Sequence, residues 1–574
     1  MQDLGVLVAG WLSRFEEALS RRESAALRGL FQADSHWRDV LALTWRIDTV
    51  SGASAIADAL VAAAGTKASG FAIDERRAPP REVMRAGSDA VEAIFKFETE
   101  QGRGSGVVRL IDGKAWTLLT SLEELKGYEE HVGRTRPTGE AYSRDFRGPN
   151  WLDKRQAAEA YVDRDPEVIV VGGGHAGLSI AARLAQLDVD TLIVDREERI
   201  GDNWRKRYHA LVLHNQVHVN HLPYMPFPAT WPAYIPKDKL AGWFEAYVES
   251  LELNFWTSTE FEGGSYDDRT GRWTVKLRRN GEVRTMRPRH IVLATGVSGI
   301  PSIPAIPMLE AFKGTVVHSS RYESSEPWRG KKAIVIGTGN SGHDIAQDLY
   351  SGGAQVALVQ RSPTLIVNVE PSAQLPYALY DEGPSLEDCD LITVATPLAL
   401  GRKSHQLLTE KARQMDRALL DGLERVGFRL TFGDDGTGWQ YLYLTRGGGY
   451  YFNVGCSDLL IERKIRLLQY ADIDHWVSDG AQLKSGDTVG ADLIVLATGY
   501  KGQEALVARL FGDEVARKVG PIWGFGEGQE LRNMFMRTPQ PGLYFIAGSL
   551  AQCRIYSKYL ALQIKAREVG LVPQ

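Results

Sequence analysis

Cysteine is scarce. The 574 residues hold three, Cys389, Cys456 and Cys553, and none forms a C-x-x-C pair, so a disulfide framework, a zinc knuckle and a dithiol redox centre are all excluded and no metal site is expected. An excess of basic residues is also missing. A net charge of −5 gives no electrostatic footprint for nucleic acid. No apolar run reaches the roughly 18 residues that a membrane span needs. The opening Met1-Gln2-Asp3-Leu4 lacks the basic start and apolar stretch of a signal peptide, so a cytoplasmic location is expected.

Glycine, by contrast, is concentrated in two turns, Gly172-Gly173-Gly174-His175-Ala176-Gly177 and Gly337-Thr338-Gly339-Asn340-Ser341-Gly342. Each follows an apolar run and precedes a helical pattern. Glycines let the backbone approach a pyrophosphate, and the following helix aims free NH groups at it. Gly172, Gly174 and Gly177 are therefore candidate contacts for one dinucleotide, and Gly337, Gly339 and Gly342 for a second. After the first turn the strand Thr191 to Val194 ends at Asp195 and Arg196, roughly 20 positions on, where an acid meets free ribose hydroxyls. That fits FAD or NAD. After the second, the strand Val356 to Val359 ends in Gln360-Arg361-Ser362. The planar fork of Arg361, with Ser362 as a further donor, suits a 2′-phosphate, which predicts NADPH. Asn340 and Ser341 open the second helix, where they bond phosphate or simply cap it.

These patterns predict an α/β protein with two Rossmann-like dinucleotide-binding domains, the NADPH domain inserted in the FAD domain, and an N-terminal α+β cone domain. The cone is assigned to 1–130, from helical patterns at Val6 to Leu19 and Ala53 to Ala64 and alternating stretches at Glu92 to Glu98, Gly106 to Ile111 and Ala115 to Ser121. It resembles SnoaL-like domains. Residues 131–164 read as a linker, 165–325 and 490–574 as the FAD domain, and 326–489 as the NADPH domain with a substrate-side helical insertion. The insertion is argued from an echo: His290 to Gly296 and Ala491 to Tyr500 both hold an apolar strand ending in Ala-Thr-Gly, and Thr498 of the second is a candidate cofactor contact. Pocket lining is expected from Glu370 to Asn453, and the final helix, Ile555 to Ala566, is expected to point its N-terminal end at the flavin.

Between the two units, Phe312-Lys313-Gly314 through His318 to Tyr322 matches the F-x-G-x-x-x-H-x-x-x-Y signature of flavin-containing monooxygenases. Together with the glycine turns, Gly201-Asp202-Asn203-Trp204-Arg205 and both Ala-Thr-Gly strands, the chain from Asp165 to Ala566 resembles that family and looks most like the soluble branch that includes the YUCCA enzymes. Baeyer-Villiger relatives carry Trp where Tyr322 stands, so lactone formation is the less favoured alternative. A flavoprotein oxidase or reductase is the other.

The resemblance implies FAD and NADPH as cofactors. NADPH reduces FAD, dioxygen adds to give a C4a-(hydro)peroxyflavin, and one oxygen atom passes to nitrogen, sulfur or a 2-oxo acid carbonyl of a small organic substrate. Asn215 is the candidate donor near the flavin, with turn capping as its other reading. His318 is either catalytic or a structural link between the nucleotide domains. Trp204 is a candidate wall of the flavin pocket or a core residue, and Arg205 a candidate phosphate contact or one half of a surface ion pair. Expected partners are the substrate and O2, with no nucleic acid and no membrane, and a homodimer is left open.

Overall fold

The computed structural model describes residues 4–139, 142, 144–297 and 299–572. Parts of the expected linker, at 140, 141 and 143, lie outside it. Among the described residues the chain is a mixed α/β protein with three large sheets.

The first sheet has seven strands. Ile47–Ser51, Phe31–Val40, Lys114–Leu125, Gly102–Ile111, Ser88–Glu98 and Ser69–Ile73 lie in that order, and Arg81–Arg85 also pairs with Ser88–Glu98. All pairs are antiparallel except Phe31–Val40 with Lys114–Leu125. The helix Leu4–Ser20 buries Val8, Trp11, Leu12, Phe15 and Leu19 on one stripe, the spacing of an amphipathic helix facing a core. Its Phe15 meets Phe71 edge-on at 5.2 Å between ring centres.

Within the stretch read as a linker, Trp151–Ala160 is helical. Asn150 accepts from the backbone NH of Asp153 and Asp153 returns the bond, a reciprocal cap that starts the helix. Tyr161 follows, buried, with its hydroxyl on Asp190 at 2.6 Å.

The second sheet is parallel, in the order Asn254–Trp256, Thr191–Val194, Val168–Val171, His290–Leu293, Leu543–Phe545. The third is parallel too, in the order Thr315–His318, Leu493–Leu496, Lys332–Ile336, Gln355–Gln360, Arg466–Gln469. Each carries a three-stranded antiparallel meander, Thr259–Asp267 with Arg272–Arg279 and Glu282–Met286, and Ile473–Val477 with Gly480–Leu483 and Thr488–Gly490. Strands buried on both faces read as continuous apolar runs, which is why these were visible in the sequence.

Sheet membership moves the expected boundaries at 325 and 490. Thr315–His318 and Leu493–Leu496 were assigned to the FAD part, yet both belong to the third sheet. Two apolar runs with the same Ala-Thr-Gly ending do not reveal which sheet each joins. In the fold each lies beside the strand that leads into a glycine turn, His290–Leu293 next to Val168–Val171 and Leu493–Leu496 next to Lys332–Ile336. The chain crosses between the two parallel sheets twice, and the crossings pair as Ile300–Pro301 with Tyr500–Lys501.

Between Gln360 and Arg466 the third unit carries a largely helical insertion, including the 3₁₀ stretch Ser372–Asp381 and the helices Leu386–Val394, Leu398–Met415, Arg417–Arg425 and Gly438–Arg446. Leu398–Met415 and Arg417–Arg425 meet at Asp416. Among the described residues no helix is long and apolar enough to cross a membrane.

Candidate functional site

The two glycine turns have matching geometry. Gly172 and Gly337 hold φ of +109° and +119°, a region that favours glycine. A Cβ on Gly172 would sit 2.6 Å from the carbonyl oxygen of Ala294, and one on Gly337 would sit 2.2 Å from that of Ala497. The alanine of each Ala-Thr-Gly ending thus presses on the first glycine of its turn. A Cβ on Gly177 would fall 1.9 Å from the Gly172 oxygen, and one on Gly342 would fall 2.0 Å from the Gly337 oxygen. These contacts close strand on helix. The helices His175–Gln186 and Asn340–Ser351 begin after Gly174 and Gly339 with no side-chain cap, so their first NH groups face outward for an anion.

At the end of Thr191–Val194, Asp195 accepts from the NH of Gly173 at 2.6 Å and from that of Glu197 at 2.9 Å. Burial raises its carboxyl above the ordinary aspartate value. Arg196 beside it is exposed. Trp204 is half-buried with its ring 6.1 Å from that of His175. Both the Trp204 Nε1 and the His175 Nδ1 are buried without a hydrogen-bond partner. Because His175 Nε2 donates to the Gly548 carbonyl, its Nδ1 is an acceptor, and this acceptor and the indole NH, both orphaned beside an uncapped helix start, are groups a bound dinucleotide would satisfy. FAD therefore fits this cradle. Arg205 is different: Asp202, Glu245 and the carbonyl of Ile200 hold its guanidinium. An acid three residues earlier on the same short helix removes Arg205 from the groups free to meet a phosphate.

At the second cradle, Arg361 and Ser362 are exposed just past Gln355–Gln360. Arg361 forms no ion pair with an acid among the described residues, which leaves its fork open to a 2′-phosphate. NADPH fits here. Asn340 does not face outward as a phosphate ligand: its Oδ1 accepts from the NH of Phe452 at 2.9 Å and ties the helix start to Tyr450–Asn453. Ser341 follows it, half-buried.

His318 lies at the paired crossings. Its Nδ1 meets Ser320 Oγ at 2.9 Å and its Nε2 meets the Gly499 carbonyl at 3.1 Å, and the ring stands edge-on to Tyr500. Burial lowers its pKa. With both nitrogens engaged by the chain, His318 fastens one sheet's strand end to the crossing, which favours the structural link over the catalytic role. Thr498 does the same work from the other strand, its hydroxyl donating to the Ser302 carbonyl at 2.6 Å.

Asn215 lies on Val212–Gln216. Its Nδ2 donates to the Tyr377 hydroxyl at 3.0 Å. Tyr377 begins a group of half-buried and buried rings, with Trp439 6.1 Å away, Trp439 in turn 4.8 Å from Phe452 and 5.8 Å from Tyr450. Tyr443 completes the wall, its hydroxyl donating to Gln552 Oε1 at 3.1 Å and lying 3.3 Å from where a Gly548 Cβ would be. Gly548 itself accepts from His175 at 2.9 Å, so the rings run from Asn215 to the first cradle. Burial pushes the Tyr377 and Tyr443 phenols upward, which keeps them neutral donors. The closing helix Leu550–Glu568 starts here, capped by Ser549. Nothing in the sequence singled out Tyr377 or Tyr443.

Residues 169–379 match the model of the pyridine nucleotide-disulphide oxidoreductase family. The chain is similar to the indole-3-pyruvate monooxygenase YUCCA1 of Oryza sativa subsp. japonica, 28% identical over 369 residues, 64% of this chain and 84% of that one. It is 30% identical to the probable indole-3-pyruvate monooxygenase YUCCA1 of Arabidopsis thaliana over 335 residues, 58% of this chain and 75% of that one. To the probable YUCCA3 enzyme of Arabidopsis thaliana it is 34% identical over 339 residues, 58% and 72% of the two chains. Among solved structures, the closed form of cyclohexanone monooxygenase shares the fold with a TM-score of 0.52 at 15% identity, over 71% of this chain and 85% of that one.

Proposed function

The chain belongs to the flavin monooxygenases that include the YUCCA enzymes, and from that premise we propose how its residues serve the reaction and what it oxygenates. It is an FAD- and NADPH-dependent monooxygenase that acts on a small molecule and O2. Bound FAD, reduced by NADPH, supplies the activation of dioxygen.

The Gly172 turn holds the FAD pyrophosphate on the helix start at His175, and Asp195 takes the ribose hydroxyls. The Gly337 turn holds NADPH, with Arg361 and Ser362 on the 2′-phosphate. One observation supports this division: a half-buried carboxylate stands at one strand end, and an exposed guanidinium with no ion pair among the described residues stands at the other. Asn215 offers an amide NH at the flavin side, positioned by Tyr377. The rings from Tyr377 to Tyr443 exclude water, which strengthens every polar contact inside the site.

The substrate class proposed is a 2-oxo acid with an aromatic side chain, oxygenated at its carbonyl. Its support is the wall of Tyr377, Trp439, Tyr443, Tyr450 and Phe452, together with the named activity of the relatives. In domain terms, the reading places an FAD unit on the second sheet, an NADPH unit on the third, and a cone-type N-terminal domain with a structural role. It also places the protein in the cytoplasm without a nucleic-acid partner, in keeping with a net charge of −5.

The test is a panel of aryl 2-oxo acids, amines, sulfides and cyclic ketones, scored by substrate-dependent NADPH consumption and by oxygen-18 in the product. Oxygen incorporation from O2 into the aryl 2-oxo acids supports the reading. Lactones from the ketones alone would replace it with the Baeyer-Villiger alternative. Hydrogen peroxide released one for one with NADPH across the whole panel would make the protein an oxidase.

A further inference from the structure

The helix Leu386–Val394 is gripped along its length by the N-terminal sheet. At its start, Asp388 accepts from Arg77 at 3.1 Å and from the NH of Ala78 at 3.0 Å. At its end, Arg38 donates to the Val394 carbonyl at 2.6 Å, and Arg109 donates to the carbonyls of Ile392 and Ala395, both at 3.2 Å. Two buried guanidinium groups thus satisfy the orphan carbonyls of a helix C-terminus, where positive charge is favoured. Each is balanced by an acid: Glu530 binds Arg38 through two bonds of 2.7 and 2.6 Å, and Glu92 binds Arg109 at 2.9 Å.

The middle of the same helix faces the other way. Asp390 takes a two-bond contact from Arg554 at 2.8 and 2.7 Å and a third bond from Tyr380 at 2.8 Å. Arg554, 4% exposed, sits in the first turns of the closing helix. Its remaining nitrogen donates to the carbonyls of Val219 and His221 at 2.7 and 2.9 Å. Those carbonyls belong to the loop that follows Asn215, and Asn220 within it donates back to the Asn215 carbonyl at 3.0 Å. Arg554 is therefore the point where three parts meet: the clamped helix, the Asn215 loop and the helix that starts beside the first cradle.

We infer that Arg554 and Asp390 form a positioning pair through which the N-terminal sheet fixes the Asn215 loop against the flavin side of the site. The inference rests on the oxygenase reading above and goes beyond it by giving the N-terminal 125 residues a part in the reaction. A planar guanidinium with a carboxylate on one edge and two carbonyls on another has a single orientation. The loop it holds cannot shift without breaking bonds to a charged group. Displacement of Asn215 would let water reach the reacting centre, so reducing equivalents would leave as hydrogen peroxide.

The experiment uses the full-length holoenzyme. Asp390→Asn keeps the shape of the side chain and removes its charge, and Arg38→Lys loosens the clamp from its far side while retaining charge. FAD content, melting temperature, anaerobic reduction of the flavin by NADPH, and peroxide formed per NADPH in air are measured together. The expected result is a roughly tenfold faster peroxide-forming consumption of NADPH in Asp390→Asn, the rate equivalent of one lost charge-assisted hydrogen bond. FAD content and anaerobic reduction stay at the unaltered level, and Arg38→Lys moves in the same direction by less. Wild-type peroxide yield in a folded, flavin-loaded Asp390→Asn overturns the inference, as does a rise that only follows flavin loss. If Asp390→Asn does not fold, Tyr380→Phe, which removes one bond to the same carboxylate, is judged by the same criterion. An unaltered, flavin-loaded enzyme whose FAD is not reduced by NADPH under anaerobic conditions would instead refute the oxygenase reading itself.

Discussion

Alanine at Gly339 and alanine at Gly342 should have opposite consequences, and the difference reports directly on the second nucleotide. The Cβ of Gly342→Ala would lie 2.0 Å from the Gly337 oxygen and 2.8 Å from its carbonyl carbon. Backbone atoms of a tight turn cannot retreat, so the turn opens and the third sheet loses its closure with the helix. At Gly339 the nearest atom to a new Cβ is the Tyr450 oxygen at 3.7 Å, an ordinary contact, and its φ of −81° suits alanine. Gly339→Ala should therefore fold as the unaltered protein does and keep its FAD. What it should not keep is close approach of a pyrophosphate to the backbone. One extra methyl in a tight contact costs about 1–3 kcal/mol, a loss of about 5- to 150-fold in NADPH affinity. The assay is anaerobic titration with NADPH at matched flavin content, alongside thermal melting. Unchanged NADPH affinity in Gly339→Ala would refute the placement of the pyrophosphate at this turn.

Three further outcomes are expected. Arg361→Ala should weaken NADPH relative to NADH by about 1.5–3 kcal/mol, the range for a hydrogen bond to a charged group; an equal effect on both cofactors in steady-state kinetics would remove Arg361 from the 2′-phosphate. Glu92→Gln strips the charge partner from the fully buried Arg109, and breaking such a pair costs about 3–5 kcal/mol, read as a lower urea midpoint at neutral pH; no change would mean that the carbonyls alone sustain the arginine. His343 is fully buried, and burial lowers its pKa to about 4. The unfolded chain takes up that proton near 6.5, so this residue's contribution is complete above pH 6.5 and is lost as pH falls toward 4, by about 3 kcal/mol at the low end. Melting curves of His343→Phe across that window should show a shallower acid slope, and an identical slope would refute the assignment.

What could be read from the sequence was local. Each glycine turn, the strand before it and the strand end after it lie within about thirty residues, the size of one βαβ unit, so Gly172, Asp195, Gly337 and Arg361 could be placed by spacing alone. The Trp151–Ala160 helix was open to the same treatment through the Asn150 and Asp153 cap, but a charged stretch rich in glycine and proline masked it. Distant partners were not legible. Asn340 showed no sign of Phe452, 112 positions on, whose NH it accepts. Arg38 finds Val394 across 356 positions and Arg109 finds Ile392 across 283. No periodicity or motif encodes contacts of that separation, since they exist only once the N-terminal sheet has docked.

The two chain crossings at Ile300–Pro301 and Tyr500–Lys501 have a mechanical consequence. A single tether lets one body swivel freely about another, whereas two tethers zipped by backbone bonds behave like a door hung on a pair of hinges. Swinging about that line stays cheap and twisting does not, so any motion between the two parallel sheets is confined to one arc.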